Sequence, residues 1–327
     1  MNFLGVSSIS KEIRGSVVLS DITFGQQKGW KIAIAGETGS GKSTLLKIIA
    51  GLVQPGSGEV YFEGIRVKGP DEKLVPGHPG IAYLSQQFEL ANNYRVEEVL
   101  DYANQLSEED AGEIYKVCRI DHLLQRRTDQ VSGGEKQRIA FARLLINSPR
   151  LLLLDEPYSN LDMIHRNVLR SVIDDTGKNL DVTCIMISQD PSDTLSWADE
   201  IIVLKDGKIL QQGSPVQVYS QPVNEYVAAL FGRYNRVSSD AATLFKELAD
   251  LMKGSNYFFI RPEDVSISME PGMSPGGVVK KISYLGSCYE LEIELSGTII
   301  KAQTALNNID AGDLVHVSIN HEKGWFA

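Results

Sequence analysis

The 327-residue chain is short of the residues that staple a fold or build a metal centre. Its three cysteines, Cys118, Cys184 and Cys288, stand far apart, which leaves neither a CxxC metal pattern nor a disulfide framework. Five histidines, His78, His122, His165, His316 and His321, form no ligand cluster. No run approaches the roughly 18 apolar residues of a membrane span. The opening MNFLGVSSIS has no basic start and no long apolar segment, so a signal peptide is not indicated and a cytosolic location is the expectation. Blocks of like charge are also missing: 32 Lys and Arg against 42 Asp and Glu leave a formal charge of −10. An acidic balance of that kind argues against general nucleic-acid binding, whose affinity rests on neutralising phosphates. Self-similarity at periods of roughly 20 to 50 residues is absent too, which excludes solenoids and propellers.

What is present is an ordinary globular composition, 43% hydrophobic and 23% charged. At this length it allows a sizeable core and two domains. Short apolar, β-branched runs recur at 17–24, 31–36, 59–62, 151–156, 182–188 and 200–207. Helical patterns lie between them, beginning at Lys42 (KSTLLKIIAGL) and within GEKQRIAFARLLI. Strands alternating with helices predict a largely parallel sheet covered on both faces. The stretch from about 88 to 130 reads as a helical insert. After about Tyr234 the texture changes. DAATLFKELADLMK (240–253) reads as one helix, and strands follow to the end. CYELEIEL (288–295) alternates Glu290, Glu292 and Glu294 with Leu291, Ile293 and Leu295, the period of a half-buried strand. A small β domain, most simply a barrel, is expected there.

GETGSGKST, from Gly36 to Thr44, follows a strand and opens a helix, the context a phosphate-binding loop requires. Glycines let the backbone curl so that N–H groups point inward, and the helix start adds a favourable dipole. Lys42 would reach the β- and γ-phosphates and Ser43 would ligate Mg²⁺. LLLLDEP (151–157) ends a buried strand in two carboxylates: Asp155 can hold Mg²⁺, and Glu156 can accept a proton from an attacking water. In VSGGEKQR, Ser132 and Glu135 make a capping box around two glycines, so a second helix start is offered to an anion. One nucleotide has little need of two such sites. A dimer in which each helix start closes over the partner's nucleotide explains both.

GETGSGKST, VSGGEKQR and LLLLDEP, in this order, resemble the ATP-binding subunits of ABC transporters over residues 1 to about 235. The resemblance implies an α/β fold, a P-loop NTPase of the ABC ATPase kind, with a helical subdomain inserted at about 88–140. It implies nucleotide contacts from Gly36, Glu37, Thr38, Gly39, Ser40, Gly41, Lys42, Ser43 and Thr44. Contacts to the partner's nucleotide would come from Ser132, Gly133, Gly134, Glu135 and Asp162. IAYLSQQF is similar to the family's glutamine loop, with Gln86 joining Mg²⁺ to the surface touched by membrane subunits, and SNLD (159–162) is similar to the D-loop. ATP and Mg²⁺ are the implied cofactors. The implied partners are a second copy or a paralogous ATPase, transmembrane permease subunits and, indirectly, an external solute-binding protein. The location would then be the inner face of the plasma membrane. FFIRPEDVSI (258–267), with Tyr284-Leu285-Gly286 and AGDLVHVSI, resembles the TOBE domain, an all-β OB-like module over 236–327 found in a branch of importers for sugars, polyamines, ferric iron, sulfate or molybdate. OB-folds elsewhere bind oligonucleotides, but these glutamates offer a poor surface for one.

Two positions depart from the family pattern. In MISQDPSD the usual switch histidine is Gln189. An amide can donate one hydrogen bond to the γ-phosphate but cannot carry positive charge, so slower hydrolysis is expected. Where the family commonly stacks adenine on an aromatic residue stands Ile13, which predicts weaker or less base-selective nucleotide binding. Competing readings are a DNA-repair or chromosome-structuring ATPase, a translation-type factor, and a regulatory subunit with nearly dead catalysis. The first needs long coiled coils that the segment 87–131 cannot hold. The second needs two tandem ATPase halves, and a single GKST opposes it. The third is opposed by Glu156, while Gln189 and Ile13 keep it open as the alternative.

Overall fold

The computed structural model describes residues 2–86, 90–159, 161–245, 248, 251–252, 257–271 and 274–326. Two compact units divide the chain, Met1–Pro215 and Val216–Ala327.

In the first unit the sheet that carries the chemistry runs β10-β9-β3-β8-β7-β6. Its strands are β3 (Lys31–Ala35), β6 (Ile81–Leu84), β7 (Leu151–Asp155), β8 (Thr183–Ile187), β9 (Glu200–Lys205) and β10 (Lys208–Gly213). All pairs are parallel except the β9–β10 edge. Burial on both faces explains why LLLLD is an unbroken apolar run rather than an alternating one. Leu151 and Leu153 enter one core with Ile32, Ile34, Ile185 and Ile187, while Leu152 and Leu154 enter another with Cys184 and Met186. The period-two pleat therefore splits one strand between two cores. Helix α1 (Lys42–Ile49) covers the first core. The second is shared by α4 (Gly133–Leu145) and α5 (Met163–Asn179). Truncating a fully buried leucine such as Leu153 to alanine should cost about 2–5 kcal/mol.

Two of the six expected runs lie elsewhere. β1 (Leu4–Ile13), β2 (Ser16–Gln26), β4 (Ser57–Phe62) and β5 (Ile65–Arg66) form a separate antiparallel sheet in the order β2-β1-β4-β5. Between β6 and β7 stand α2 (Val96–Asp101) and α3 (Glu108–Val117), ahead of α4. Their start at Phe88, and the Gln87-Phe88 end of the glutamine loop, fall outside the described residues. After β8 comes the short α6 (Pro191–Leu195). Burial pushes the Cys184 thiol up to about 12 and raises that of Cys118, so both behave as core residues.

The second unit holds α7 (Pro215–Ser220, with Pro215 from the first unit), α8 (Glu225–Phe231) and α9 (Ser239–Ala242). Among the described residues its strands make two sheets. The smaller contains β11 (Asn235–Ser238), β12 (Tyr257–Ile260) and β18 (Trp325–Phe326). The larger, in the order β13-β17-β14-β15-β16, contains β13 (Val265–Ser268), β14 (Gly276–Tyr284), β15 (Tyr289–Leu295), β16 (Thr298–Thr304) and β17 (Leu314–Ile319). Every pair of the larger sheet is antiparallel, as an OB-like module requires.

Two expectations need correction here. The single helix over 240–253 is interrupted: α9 ends at Ala242, where the Thr243 hydroxyl donates back to Asp240 O at 2.6 Å and competes with the helical ladder, and helical backbone is described again at Leu248 and Leu251. Residues 246, 247, 249, 250 and 253 of that stretch, and Gly272 and Met273 of the PGMSPGG loop, are outside the described set. Glu290 is also not on a solvent face. It is buried and held by the Arg233 guanidinium, whereas Glu292 and Glu294 reach Lys301 and Lys280 from more open positions.

Candidate functional site

The phosphate loop links β3 to α1, and its last glycine is forced by geometry. Gly41 has φ 96°, and a Cβ there would lie 2.6 Å from the Val18 carbonyl oxygen. As the N-cap of α1 it supplies no side-chain hydrogen bond, so the first N–H groups of that helix are left uncapped by a side chain and aimed into the loop. The Lys42 ammonium is buried in the curl. It donates to Gly36 O at 2.8 Å, Glu37 O at 2.7 Å and Ser40 Oγ at 3.3 Å. Burial lowers its pKa, while the charges of Glu156, Asp155 and Glu37 pull the other way.

Asp155 and Glu156 leave the C-terminal end of β7 beside this loop. Ser43 Oγ donates to Asp155 Oδ1 at 3.0 Å, and the Tyr83 hydroxyl donates to Asp155 Oδ2 at 2.7 Å. Burial, then that carboxylate, raises the Tyr83 pKa, so the phenol stays a proton donor. Glu156 takes a left-handed backbone, φ 49°, which costs about 1–2 kcal/mol in a residue with a side chain. Its N–H donates to Ile187 O at 3.0 Å, and its carbonyl accepts from Ser159 Oγ at 2.9 Å. Those bonds hold the strained turn and aim the carboxylate at two amides. Gln86 Nε2 donates to Oε2 at 2.9 Å and Gln189 Nε2 donates to Oε1 at 2.6 Å. Gln189 Nε2 also lies 3.3 Å from Thr38 Oγ1 in the phosphate loop.

The turn bearing Gln189 is pinned from below. Asp190 caps α6, with Pro191 in its first turn, and pairs with Arg166. Arg166 also bonds Asp193 at 2.6 Å, and Ser188 Oγ donates to the same buried carboxylate at 2.9 Å. A cleft of about 170 Å³ opens between Glu156, Ser159, Gln189 and Asp190.

The capping box forms a second cluster. Ser132 N donates to Glu135 Oε2 at 2.7 Å and Glu135 N to Ser132 Oγ at 3.3 Å. The backbone bond from Ser132 holds the Glu135 carboxyl below its ordinary range. Gly133 has open space around it, but a Cβ on Gly134 would come within 2.5 Å of the His165 ring. That ring is fixed by Asp162, the N-cap of α5, which accepts from His165 N at 3.0 Å and faces Nδ1 at 2.7 Å. The same backbone and imidazole contacts hold the Asp162 carboxyl low.

The structure thus gathers Thr38, Lys42, Ser43, Gln86, Asp155, Glu156 and Gln189 around one loop. Ser132 to Glu135 and Asp162 form a separate cluster, with Ser132, Gly133 and Asp162 exposed, Glu135 half-buried and Gly134 buried against His165. Ile13, the last residue of β1, is 44% exposed. Asn160 of the SNLD segment lies outside the described residues. Tyr83 and His165 are contacts that motif reasoning missed. No local signal pairs Tyr83 with Asp155, because α2, α3 and α4 separate β6 from β7 along the chain; only the need of a partly buried hydroxyl for a partner was legible. Among the described residues no group of three or more His, Cys, Asp or Glu could hold a metal. The Ser43 hydroxyl, exposed at the loop, and the buried Asp155 carboxylate, 3.0 Å apart, are hard oxygen donors. That donor set fits Mg²⁺.

Comparison with known proteins follows the same division. The ABC transporter family model matches residues 19–159, and the TOBE domain model matches 258–326. The glucose import ATP-binding protein GlcV of Saccharolobus solfataricus is 33% identical, over 88% of each chain. The spermidine/putrescine import ATP-binding protein PotA of Legionella pneumophila (strain Paris) is 31% identical, over 98% of this chain and 94% of its own. The Fe(3+) ions import ATP-binding protein FbpC of Photorhabdus laumondii is 28% identical, over 99% and 97%. Among solved structures, a dimeric ATP-binding cassette in a post-hydrolysis state, bound to ADP and Pi, superposes with TM-score 0.55 and 26% identity. It covers 65% of this chain and 98% of that one. A cassette of an ABC transporter in its ADP conformation gives TM-score 0.59 at 23% identity, over 71% and 98%, and speaks for the fold.

Proposed function

The chain belongs to the import ATP-binding subunits of ABC transporters, and we propose that it works as one half of a head-to-tail pair that sandwiches two Mg-nucleotides. It hydrolyses ATP as the motor of an importer. The observation that carries the reading is the arrangement around Glu156: its carboxylate sits beside the phosphate loop with an amide donor on each oxygen.

In this reading the loop N–H groups and Lys42 hold the β- and γ-phosphates. Ser43 and Asp155, with Gln86 nearby, hold Mg²⁺, which neutralises charge on the phosphate oxygens when bound. Glu156 accepts the proton of the attacking water. Gln189 spans Glu156 and Thr38, so it keeps the base at the edge of the loop where the γ-phosphate ends. Ser132, Gly134 and Asp162 face the partner subunit and close over its nucleotide. Binding brings the pair together, and hydrolysis lets it reopen.

Among the described residues no helix is long and apolar enough to cross a membrane. Attachment at the inner face of the membrane then comes through permease subunits. A groove of about 680 Å³ beside the glutamine loop, lined by Leu52, Leu74, Val75, Tyr83 and Leu144 among others, is the face we assign to them. Leu74 and Val75 stand almost fully in solvent there, which suits an apolar partner. The relatives are named for a metal ion, a sugar and polyamines, so the solute is chosen by other components of the transporter.

Glu156→Gln tests the pairing. With saturating ATP and Mg²⁺ and the permease present, this variant should accumulate as a closed dimer by light scattering. A strictly monomeric variant under those conditions would overturn the reading.

A further inference from the structure

Tyr83 belongs to two places at once. The residue lines the groove assigned to the permease, its side chain packs against the first core, and its hydroxyl donates to Asp155 Oδ2 at 2.7 Å. We propose that Tyr83 is a positioning residue through which the groove acts on the metal site, its ring meeting what fills the groove and its hydroxyl setting the attitude of the Asp155 carboxylate. The inference rests on the reading of Asp155 as a Mg²⁺ ligand and of the groove as the docking face.

The register of the sheet makes this contact. β6 and β7 are parallel, with Tyr83 opposite Leu153. Asp155 is two residues beyond Leu153 and therefore on the same face of the sheet. An aromatic side chain is long enough to reach such a diagonal neighbour. Each Asp155 oxygen consequently has its own donor, Ser43 on Oδ1 and Tyr83 on Oδ2. The terminal torsion of an aspartate is broad and roughly two-fold, so two anchors hold it where one leaves it free to turn. A hydrogen bond also weakens steeply once its angle closes below about 120°, so a turn of the Tyr83 ring would loosen this anchor.

The route is separate from Gln86. Three residues after Tyr83, Gln86 bonds the neighbouring carboxylate, Glu156, at 2.9 Å. One segment therefore holds the two adjacent carboxylates by two independent contacts, one on the metal side and one on the base. Phenylalanine at 83 would fill the same space, so the hydroxyl is the part that needs a purpose. Partners of this outer kind, where measured on metal ligands, change metal affinity about 10- to 100-fold.

The test uses Tyr83→Phe in the full chain, free and assembled with the permease, with Mn²⁺ as the probe and a non-hydrolysable ATP analogue. Mn²⁺ binding is followed by electron paramagnetic resonance, and Asp155→Asn is the reference. Tyr83→Phe should bind Mn²⁺ about 10- to 100-fold more weakly, with analogue binding in chelator unchanged. Assembly with the permease should shift the Mn²⁺ affinity of the wild type and leave that of Tyr83→Phe where it was. Affinity within twofold of wild type, while Asp155→Asn loses Mn²⁺, overturns the role of Tyr83. An equal shift on assembly in both proteins overturns the link to the groove. Retained Mn²⁺ binding in Asp155→Asn removes the metal assignment itself, and the inference falls with it.

Discussion

Gln189 Nε2 donates to Glu156 Oε1 at 2.6 Å and stands 3.3 Å from Thr38 Oγ1, so one carboxamide joins the Glu156 carboxylate to the loop between β3 and α1. An imidazole in this place could add a positive charge near the γ-phosphate, which an amide cannot. Hydrogen bonds to charged groups contribute about 1.5–3 kcal/mol. Gln189→Ala should therefore lower ATP turnover by about 10- to 150-fold. Gln189→His should raise turnover above wild type and add an ionisation near the ordinary histidine pKa of about 6.5 to the pH–rate profile. Steady-state ATPase assays across that range decide both points. A histidine variant no faster than wild type would show that the glutamine is no handicap.

The two glycines of the capping box have different duties. Gly133 has nothing near its missing Cβ, whereas at Gly134 that atom would lie 2.5 Å from His165 Cδ2. Gly134→Ala should destabilise the chain by about 1–3 kcal/mol, the usual cost of overpacking. Gly133→Ala should leave the unfolding midpoint nearly unchanged. Adding His165→Ala to Gly134→Ala should recover most of the loss, because the ring that clashes is gone. Urea unfolding of these three variants and of His165→Ala alone gives the comparison, and additive losses in the double variant would sink the contact.

Glu135 ties the same helix start to pH. Its folded pKa is held below the ordinary 4.5 by the Ser132 backbone bond. A depressed carboxyl stabilises fully above its unfolded pKa, and that stability is lost as pH falls through the folded value. Glu135→Gln does not titrate. The stability gap between wild type and variant should be of order 1 kcal/mol at neutral pH, the size of a capping bond. It should narrow steadily below pH 4.5. Denaturant melts at several pH values measure it. A gap that stays constant down to acid would contradict the assignment.

Legibility in the sequence followed locality. GETGSGKST, the capping box and the strand ending at Asp155 are contiguous stretches whose local geometry depends on near neighbours, and the helix starts and strand end lie where they were read. Contacts that depend on packing between distant elements were not readable. Tyr83 meets Asp155 only because β6 and β7 pair in one register, and His165 meets Gly134 only where α4 and α5 approach. β1 was missed for a different reason. Register shifts between Val6 and Ile9 and between Ile9 and Lys11 blur its alternation, and its second partner, β4, lies beyond the phosphate loop. Glu290 kept the expected period but gained a cover, Arg233, that periodicity does not reveal.

Arg261, the first residue of the RPED stretch that resembles TOBE domains, explains that motif in structural terms. It is 1% exposed, the largest of the fully buried side chains. Nη1 donates to Ala228 O and to Arg233 O, each at 3.0 Å, and Nη2 donates to Tyr219 O at 3.1 Å. The guanidinium lies 4.2 Å from the Tyr219 ring centre and 5.2 Å from that of Trp325. One side chain thereby satisfies carbonyls from α7, α8 and the residue before Tyr234 while packing between two aromatic rings. Lysine has a point charge and no planar fork, so it cannot reproduce three bonds and two stacking contacts. Arg261→Ala strands three carbonyls, each bonded to a charged donor, and should cost at least about 3 kcal/mol. Arg261→Lys should recover less than half of that loss. Calorimetry should show the loss in the transition of the Val216–Ala327 unit, with Mg-nucleotide binding at the phosphate loop kept. An Arg261→Lys protein as stable as wild type would mean that charge alone suffices, and the fork geometry would then be incidental.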